Sequence, residues 1–395
     1  MMFQAVLSNR EHPEYGVATI PFPIPRDQYA YCIELLEALE IGDAVKADCK
    51  VEKIDSFYTV LKHTEMLTAN VEELNYLAKR LESFDTGEAA QFQTMAHKLE
   101  LFELKDLINL TFCCQQATVI TDFSDLAAIG RDHYMNLHGG SASVDELNAP
   151  DGKEIARQLI ENGGGTITPY GVVYDNGMKL EQVYDGRFFP CYYYEPNVIT
   201  VAVTSKAEPE DTEHITWLFL PMLQEEIDRA LLRGGITDPA DVRLRLEDSQ
   251  LPNEVDVLLD MEYETLSVLN ELAEAADGLS SADMKKLGAV VMLAKPENTA
   301  QIKNLAENID LFDFAPGAHT PEEYGKYMIQ QSGHFEYDEN LDAFYDYEKY
   351  GTERMNEEDG MFTDRGYIAY KGCYSMEEVM NGGQSNHMVL GGLSR

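Results

Sequence analysis

Carboxylates are the side chains of this chain that could do chemistry, and they come in runs. Glu208, Glu210, Asp211 and Glu213 form one; Glu225, Glu226 and Asp228 another; Asp260, Glu262 and Glu264 a third. Further on stand Glu336, Asp338 and Glu339, then Glu357, Glu358 and Asp359. Two facing acids could share general acid and base work on a glycosidic bond, but nothing in the sequence selects a pair. Alternating acids could ligate calcium. Asp338, Asn340 and Asp342 begin such a loop, yet its sixth position is Ala343 instead of glycine and its twelfth is Lys349 instead of glutamate. A row of acids could also present the charge of a polyanion.

Other chemistries leave fainter traces. His138-Gly139-Gly140 has the glycines of an oxyanion loop, but no Gly-x-Ser-x-Gly nucleophile turn accompanies it. Gly163-Gly164-Gly165 lacks the lysine and spacing of a phosphate loop. Both read as turns. The nine histidines form neither His-Glu-x-x-His nor His-x-His, so no metal site is expected. The six cysteines (Cys32, Cys49, Cys113, Cys114, Cys191, Cys373) contain no Cys-x-x-Cys and read as reduced. No cofactor is implied, and catalysis is not the expected function.

Composition narrows the partners. Seventy acids against 30 bases leave a net charge of −40, while 44% apolar residues suffice for real cores. Such a charge repels phosphates, so nucleic acid is not expected as a direct partner. No apolar run of 18 residues and no basic–apolar leader occur, so a cytoplasmic chain without a membrane span is expected. Asn109-Leu110-Thr111 matches a glycosylation signal that has no meaning there. At the charge density of duplex DNA, forty charges would cover roughly 70 Å of helix axis.

The chain also repeats itself. GTITPYGVVYDNG (165–177) is echoed by GMFTDRGYIAYKG (360–372), 195 positions later. LNYLA (74–78) is echoed by LNELA (269–273) at the same spacing, and Val6 falls on Val201. Tyr134-Met135 with Gly140 pairs with Tyr327-Met328 and Gly333 at 193; Leu107 pairs with Leu305 at 198. HPE (12–14) faces EPE (208–210). These matches keep their order, which implies a tandem duplication with its seam near Pro196. Residues 1–200 carry a net −16 and 201–395 a net −24, so the second copy is the more acidic.

Each copy predicts the same elements. It opens on a strand (4–8, 198–203) and a helix (26–40, 223–233) ended at Gly42 or Gly234-Gly235. Leu74, Leu77, Ala78 and Leu81 make one apolar stripe, and Leu269, Leu272, Ala273 and Ala276 repeat it. Asn70 with Glu73 reads as a capping box. Thr320-Pro321-Glu322-Glu323 starts a later helix that Gly333 would end. A glycine-turn hairpin closes each copy. The expected fold class is α+β, an elongated chain of small α/β subdomains in two tandem homologous units: 1–196, 197–375, and a tail over 376–395.

In the closing stretch, YMIQQSG (327–333), YDYEKYG (345–351) and GMFTDRG (360–366) resemble the C-terminal part of ArdA-type antirestriction proteins. The resemblance is strongest over 320–372 and extends in order back to about Val198. The first copy follows only through the repeat. ArdA proteins travel on plasmids and conjugative transposons. They are elongated chains of three small subdomains, usually homodimeric, with acids along a curved surface similar to bent B-form DNA. That surface occupies the DNA groove of type I restriction–modification enzymes, chiefly the methyltransferase core, without catalysis. The resemblance thus implies phosphate stand-ins at Asp342, Asp346, Glu348, Glu353, Glu357, Glu358, Asp359 and Asp364, with Glu225, Glu226, Asp228, Asp260, Glu262 and Glu264 beside them. Asp346 could equally be a structural acceptor next to Tyr345 and Tyr347.

This chain departs from the family by its doubled length. Its first copy also reads NAPDGKEIARQ (148–158) where the second has the tyrosine-rich element. A covalent pseudo-dimer, monomeric in solution, is one consequence; a homodimer is the other. The alternatives are an acidic protein inhibiting another basic DNA-binding or defence protein, and an enzyme on a duplicated scaffold.

Overall fold

The computed structural model describes residues 1–139, 143–145, 151–207 and 212–383. Glu208, Glu210, Asp211, Gly140, residues 148–150 and most of the expected tail lie outside the described residues. Two compact units emerge. The first comprises Met1–Tyr194, Asp211–Thr216 and Leu223–Asp241; the second Glu195–Glu210, Trp217–Met222 and Val242–Arg395.

The first unit starts with β1 (Phe3–Asn9), β2 (Val17–Phe22), α1 (Tyr29–Glu37), β3 (Cys49–Ser56) and β4 (Thr68–Ala69), the strands forming an antiparallel sheet in the order β2-β1-β3-β4. α1 is shorter than the sequence suggests. A 3-10 turn, Arg26–Gln28, precedes it, and Ile41 N–H closes it onto the Leu36 carbonyl with Glu40 at φ 56°. Helices α2 (Val71–Glu82), α3 (Thr86–Lys98) and α4 (Leu104–Leu110) follow. The stripe Leu74, Leu77, Ala78 and Leu81 is fully buried with Phe3, Ile20, Leu36 and Phe92. Asn70 caps α2 by accepting from the Glu72 and Glu73 amides. The Glu73 carboxylate also takes the Tyr184 hydroxyl at 2.7 Å.

A second small sheet combines β5 (Thr118–Ile120) with β6 (Thr166–Thr168) and β7 (Gly171–Tyr174) in the order β5-β7-β6. The helix pair α5 (Leu126–Leu137) and α6 (Gly152–Glu161) accompanies it.

In the second half, β8 (Ile199–Ser205), β9 (Thr216–Leu220) and, after α7 (Gln224–Arg233), β10 (Val242–Ser249) make the sheet β10-β8-β9. Then come α8 (Asn253–Asp256), α9 (Leu266–Asp277), α10 (Ser281–Ala294) and α11 (Thr299–Glu307). β11 (Phe312–Pro316), α12 (Pro321–Gln330), α13 (Tyr347–Glu357), β12 (Asp359–Thr363) and β13 (Gly366–Tyr370) build the sheet β11-β13-β12, and α14 (Met376–Met380) ends the described chain. Leu269, Leu272, Ala273 and Ala276 are buried, as their spacing predicts.

A spacing of 195 relates the elements from α2 onward. The N-caps Asn70, Asp85, Glu103, Asp125 and Asp151 recur as Thr265, Ser280, Asn298, Thr320 and Asp346. In the closing hairpins, Thr168 Oγ donates to the Gly171 carbonyl at 2.9 Å and Thr363 Oγ to that of Gly366 at 2.8 Å. Both glycines need a left-handed backbone, at φ 137° and 138°. Glycines also set the helix pairs. A Cβ on Gly130 would lie 1.8 Å from the Gly152 carbonyl oxygen, and one on Gly325 2.0 Å from that of Tyr347. At a constant spacing of 195, Tyr134 falls on Ile329 and Leu107 on Ile302, where the sequence echoes set them on Tyr327 and Leu305.

Candidate interaction surface

The acids singled out from sequence divide by what holds them. Glu348, Glu353, Glu357, Asp359, Asp364, Glu225 and Glu262 are exposed, with no side-chain hydrogen bond or ion pair to another described residue. Glu348, Glu353 and Glu357 ride on α13; Asp359 opens β12; Asp364 tips the β12–β13 turn. Their carboxylates are available to a cationic partner.

Others hold the fold. Asp342 Oδ1 accepts from the Tyr347 hydroxyl at 2.5 Å, the Tyr337 hydroxyl at 2.6 Å and Gln330 Nε2 at 2.8 Å. Hydrogen bonds from Tyr337 and then Tyr347 hold its carboxyl below the usual carboxylate range. So Tyr347, the neighbour of Asp346, turns to Asp342, as does Tyr337, while Asp346 caps α13 through the Lys349 amide. Glu358 is half-buried, taking the Tyr324 hydroxyl at 2.7 Å and Arg354 Nη2 at 2.5 Å. Glu226 receives the Leu223 amide, Asp228 pairs with Gln224, Asp260 Oδ1 receives the Glu262 amide, and Glu264 takes the Thr299 hydroxyl. Glu225, Glu226 and Asp228, on α7, belong to the first unit; the other eleven belong to the second.

Several bases of the second unit are neutralised where they stand. Lys303 lies 2.9 Å from Glu271 and 3.8 Å from Glu307; Lys371 lies 2.6 Å from Asp313; Arg245 lies 3.4 Å from Glu247. Arg365 forks onto Glu254 through two bonds of 2.7 Å. The sequence shows these bases as interruptions of the negative charge. Each pair sets its base against a particular acid, and the Arg365–Glu254 pair spans 111 positions, which no local pattern reveals.

Other candidate chemistry resolves into structure. Asp338 caps a 3-10 turn, Glu339–Phe344, and Asp342 is committed to tyrosines, so the calcium-like spacing serves backbone and hydroxyls. Among the described residues, no group of three or more His, Cys, Asp or Glu could hold a metal ion. Cys113 and Cys114 are buried. A 560 Å³ cavity between α5, α6 and β7 is lined by His133, Tyr134, His138 and Asp175 among others. His133 Nδ1 pairs with Thr118 Oγ at 2.8 Å, His138 Nδ1 with the Tyr134 carbonyl at 2.7 Å, and Asp175 takes Lys98 Nζ at 2.6 Å. These contacts are structural, and no nucleophile–base pair is formed among them. No helix of the described chain is long and apolar enough to cross a membrane.

Residues 212–369 match the model of the antirestriction protein (ArdA) family. This part of the chain is an ArdA-type domain. The match begins before β9 and ends within β13, so it takes in α7, α9 to α13 and the exposed acids of α13 and the β12–β13 turn. Gly325 and Gly351, the two glycines that let α12 and α13 cross, lie within the matched range. ArdA is an antirestriction family, not a catalytic one. No curated protein sequence matches the chain.

Proposed function

We propose that the protein is a DNA-mimicking inhibitor of type I restriction–modification enzymes. Its exposed carboxylates occupy the DNA groove of the methyltransferase core in place of phosphates. The observation that carries this reading is the ArdA match over 212–369. Exposed acids at Glu348, Glu353, Glu357, Asp359 and Asp364 support it. Association is fast and electrostatically steered, and weakens as salt rises. No bond is made or broken in the target or in the inhibitor.

The first half is proposed to be a diverged ArdA-like unit joined near Pro196. The recurrence of caps, hairpin and helix crossing at a spacing of 195 supports this. One chain would then do the work of two copies and sediment as a monomer.

The test is a competition. A purified methyltransferase core holding labelled duplex DNA is titrated with the full chain at low and high salt. Displacement that weakens with salt supports the mimic. Absence of displacement across several type I enzymes redirects the acids to another basic DNA-binding protein.

A further inference from the structure

The loop between α12 and α13 displays more than charge. Phe344 ends the 3-10 turn Glu339–Phe344 and is 83% exposed, the most exposed aromatic of the described chain. It stands between Asp342 and Asp346, and Leu341 and Phe335 are also exposed. The turn is not a loose one. Asp342 gathers Tyr337, Tyr347 and Gln330 onto one oxygen, Asp338 accepts from the Asn340 amide, and Asp346 is fixed as the cap of α13. Phe335 packs edge-on against Tyr350 at 5.8 Å. A fully wetted phenyl ring on a braced turn is pre-organised to enter an apolar recess, since little conformational freedom remains to be lost on binding. The carboxylates around it restrict that recess to one set in a cationic surface. At the 195 spacing the corresponding stretch of the first half, GSASVDELNAPD (140–151), contains no aromatic residue.

A cationic groove with an aromatic-sized apolar recess describes an enzyme that acts on a base swung out of the duplex. We propose that Phe344 is the stand-in for that extruded base. It enters the target-base pocket of the methyltransferase while the exposed acids of α13, Glu348, Glu353 and Glu357, meet the groove's cations. This rests on the mimic reading above and deepens it: the second half is the contacting half, and its affinity has an apolar anchor besides its charge.

The full chain and its Phe344→Ala form are measured for affinity to a methyltransferase core over a range of salt. Phe57→Ala, removing an exposed phenyl of the first unit, is the control. The expected result is a loss of about tenfold or more for Phe344→Ala, as for a buried aromatic anchor, and none for Phe57→Ala. The slope of affinity against salt should stay unchanged, because no charge is removed. A benzophenone side chain in place of Phe344 should crosslink to the walls of the base pocket. Unchanged affinity of Phe344→Ala, or crosslinks elsewhere in the groove, overturns this inference and leaves the mimic standing. Failure of the wild-type chain to displace DNA overturns both. A wild-type dimer that becomes a monomer on Phe344→Ala assigns the ring to a second copy and also overturns it.

Discussion

The Tyr347 hydroxyl donates to Asp342 Oδ1 at 2.5 Å, tying the start of α13 to the loop before it. The Tyr337 hydroxyl reaches the same oxygen. An acid that looks like surface charge in the sequence is therefore the buckle of its loop. Asp342→Asn should speed amide exchange across 337–347 while leaving α9 and α10 protected. The wild-type loop should loosen in the same way in acid. Its carboxyl titrates below its unfolded value, so the stabilisation is present above the unfolded carboxylate range and is lost as pH falls through the depressed one.

Gly351 has no room for a side chain. A Cβ there would lie 1.9 Å from the Pro321 carbonyl oxygen, which belongs to backbone and cannot swing away. Gly351→Ala should destabilise the fold by about 3 kcal/mol or more in urea titrations. Gly278→Ala, at a helix end where nothing lies within 4 Å, should be neutral.

Arg233 is 5% exposed inside the first unit. It donates to the carbonyls of Arg187 and Ala44 and to Asn70 Oδ1, and covers the Phe189 ring at 4.3 Å. Arg233→Ala would strand these acceptors and leave Glu73 without its nearest cation, 3.9 Å away. A loss of about 3–5 kcal/mol is expected. Arg233→Lys should restore little of it, because one ammonium cannot span a planar fork. Denaturant midpoints of the three forms decide.

Glu254 is held below the ordinary carboxylate range by the Arg365 fork. Glu254→Gln should cost about 1–2 kcal/mol at neutral pH. The sign follows from the depressed value: the contribution exists above the unfolded carboxylate range and disappears as pH falls through the lowered one. The gap between wild type and Glu254→Gln should therefore close in acid, read as converging melting temperatures.

The exposed acids should act together. Neutralising Glu348, Glu353, Glu357 or Asp364 one at a time should cost under about 1 kcal/mol of target affinity. Changing all four should cost far more at low salt than at high salt. A large loss from one substitution alone would argue for a specific contact in place of a distributed field.

The sequence by itself determined the class of fold, the two apolar stripes, the helix starts at Asn70 and Thr320, and the glycine hairpins. Each of these is local: a stripe, a cap and a turn are set by residues within a few positions of one another. It also carried the ArdA likeness of the second half, through YDYEKYG and GMFTDRG. Tertiary structure decided the rest. The crossing of α12 and α13 depends on glycines meeting backbone oxygens, Gly325 at Tyr347 and Gly351 at Pro321. The division between acids that brace the fold and acids that face solvent depends on partners brought in from distant positions. Asp342 and Asp346 show this most plainly. They are four residues apart and alike in sequence, and which of them receives the tyrosines is settled only when α12 and α13 lie side by side.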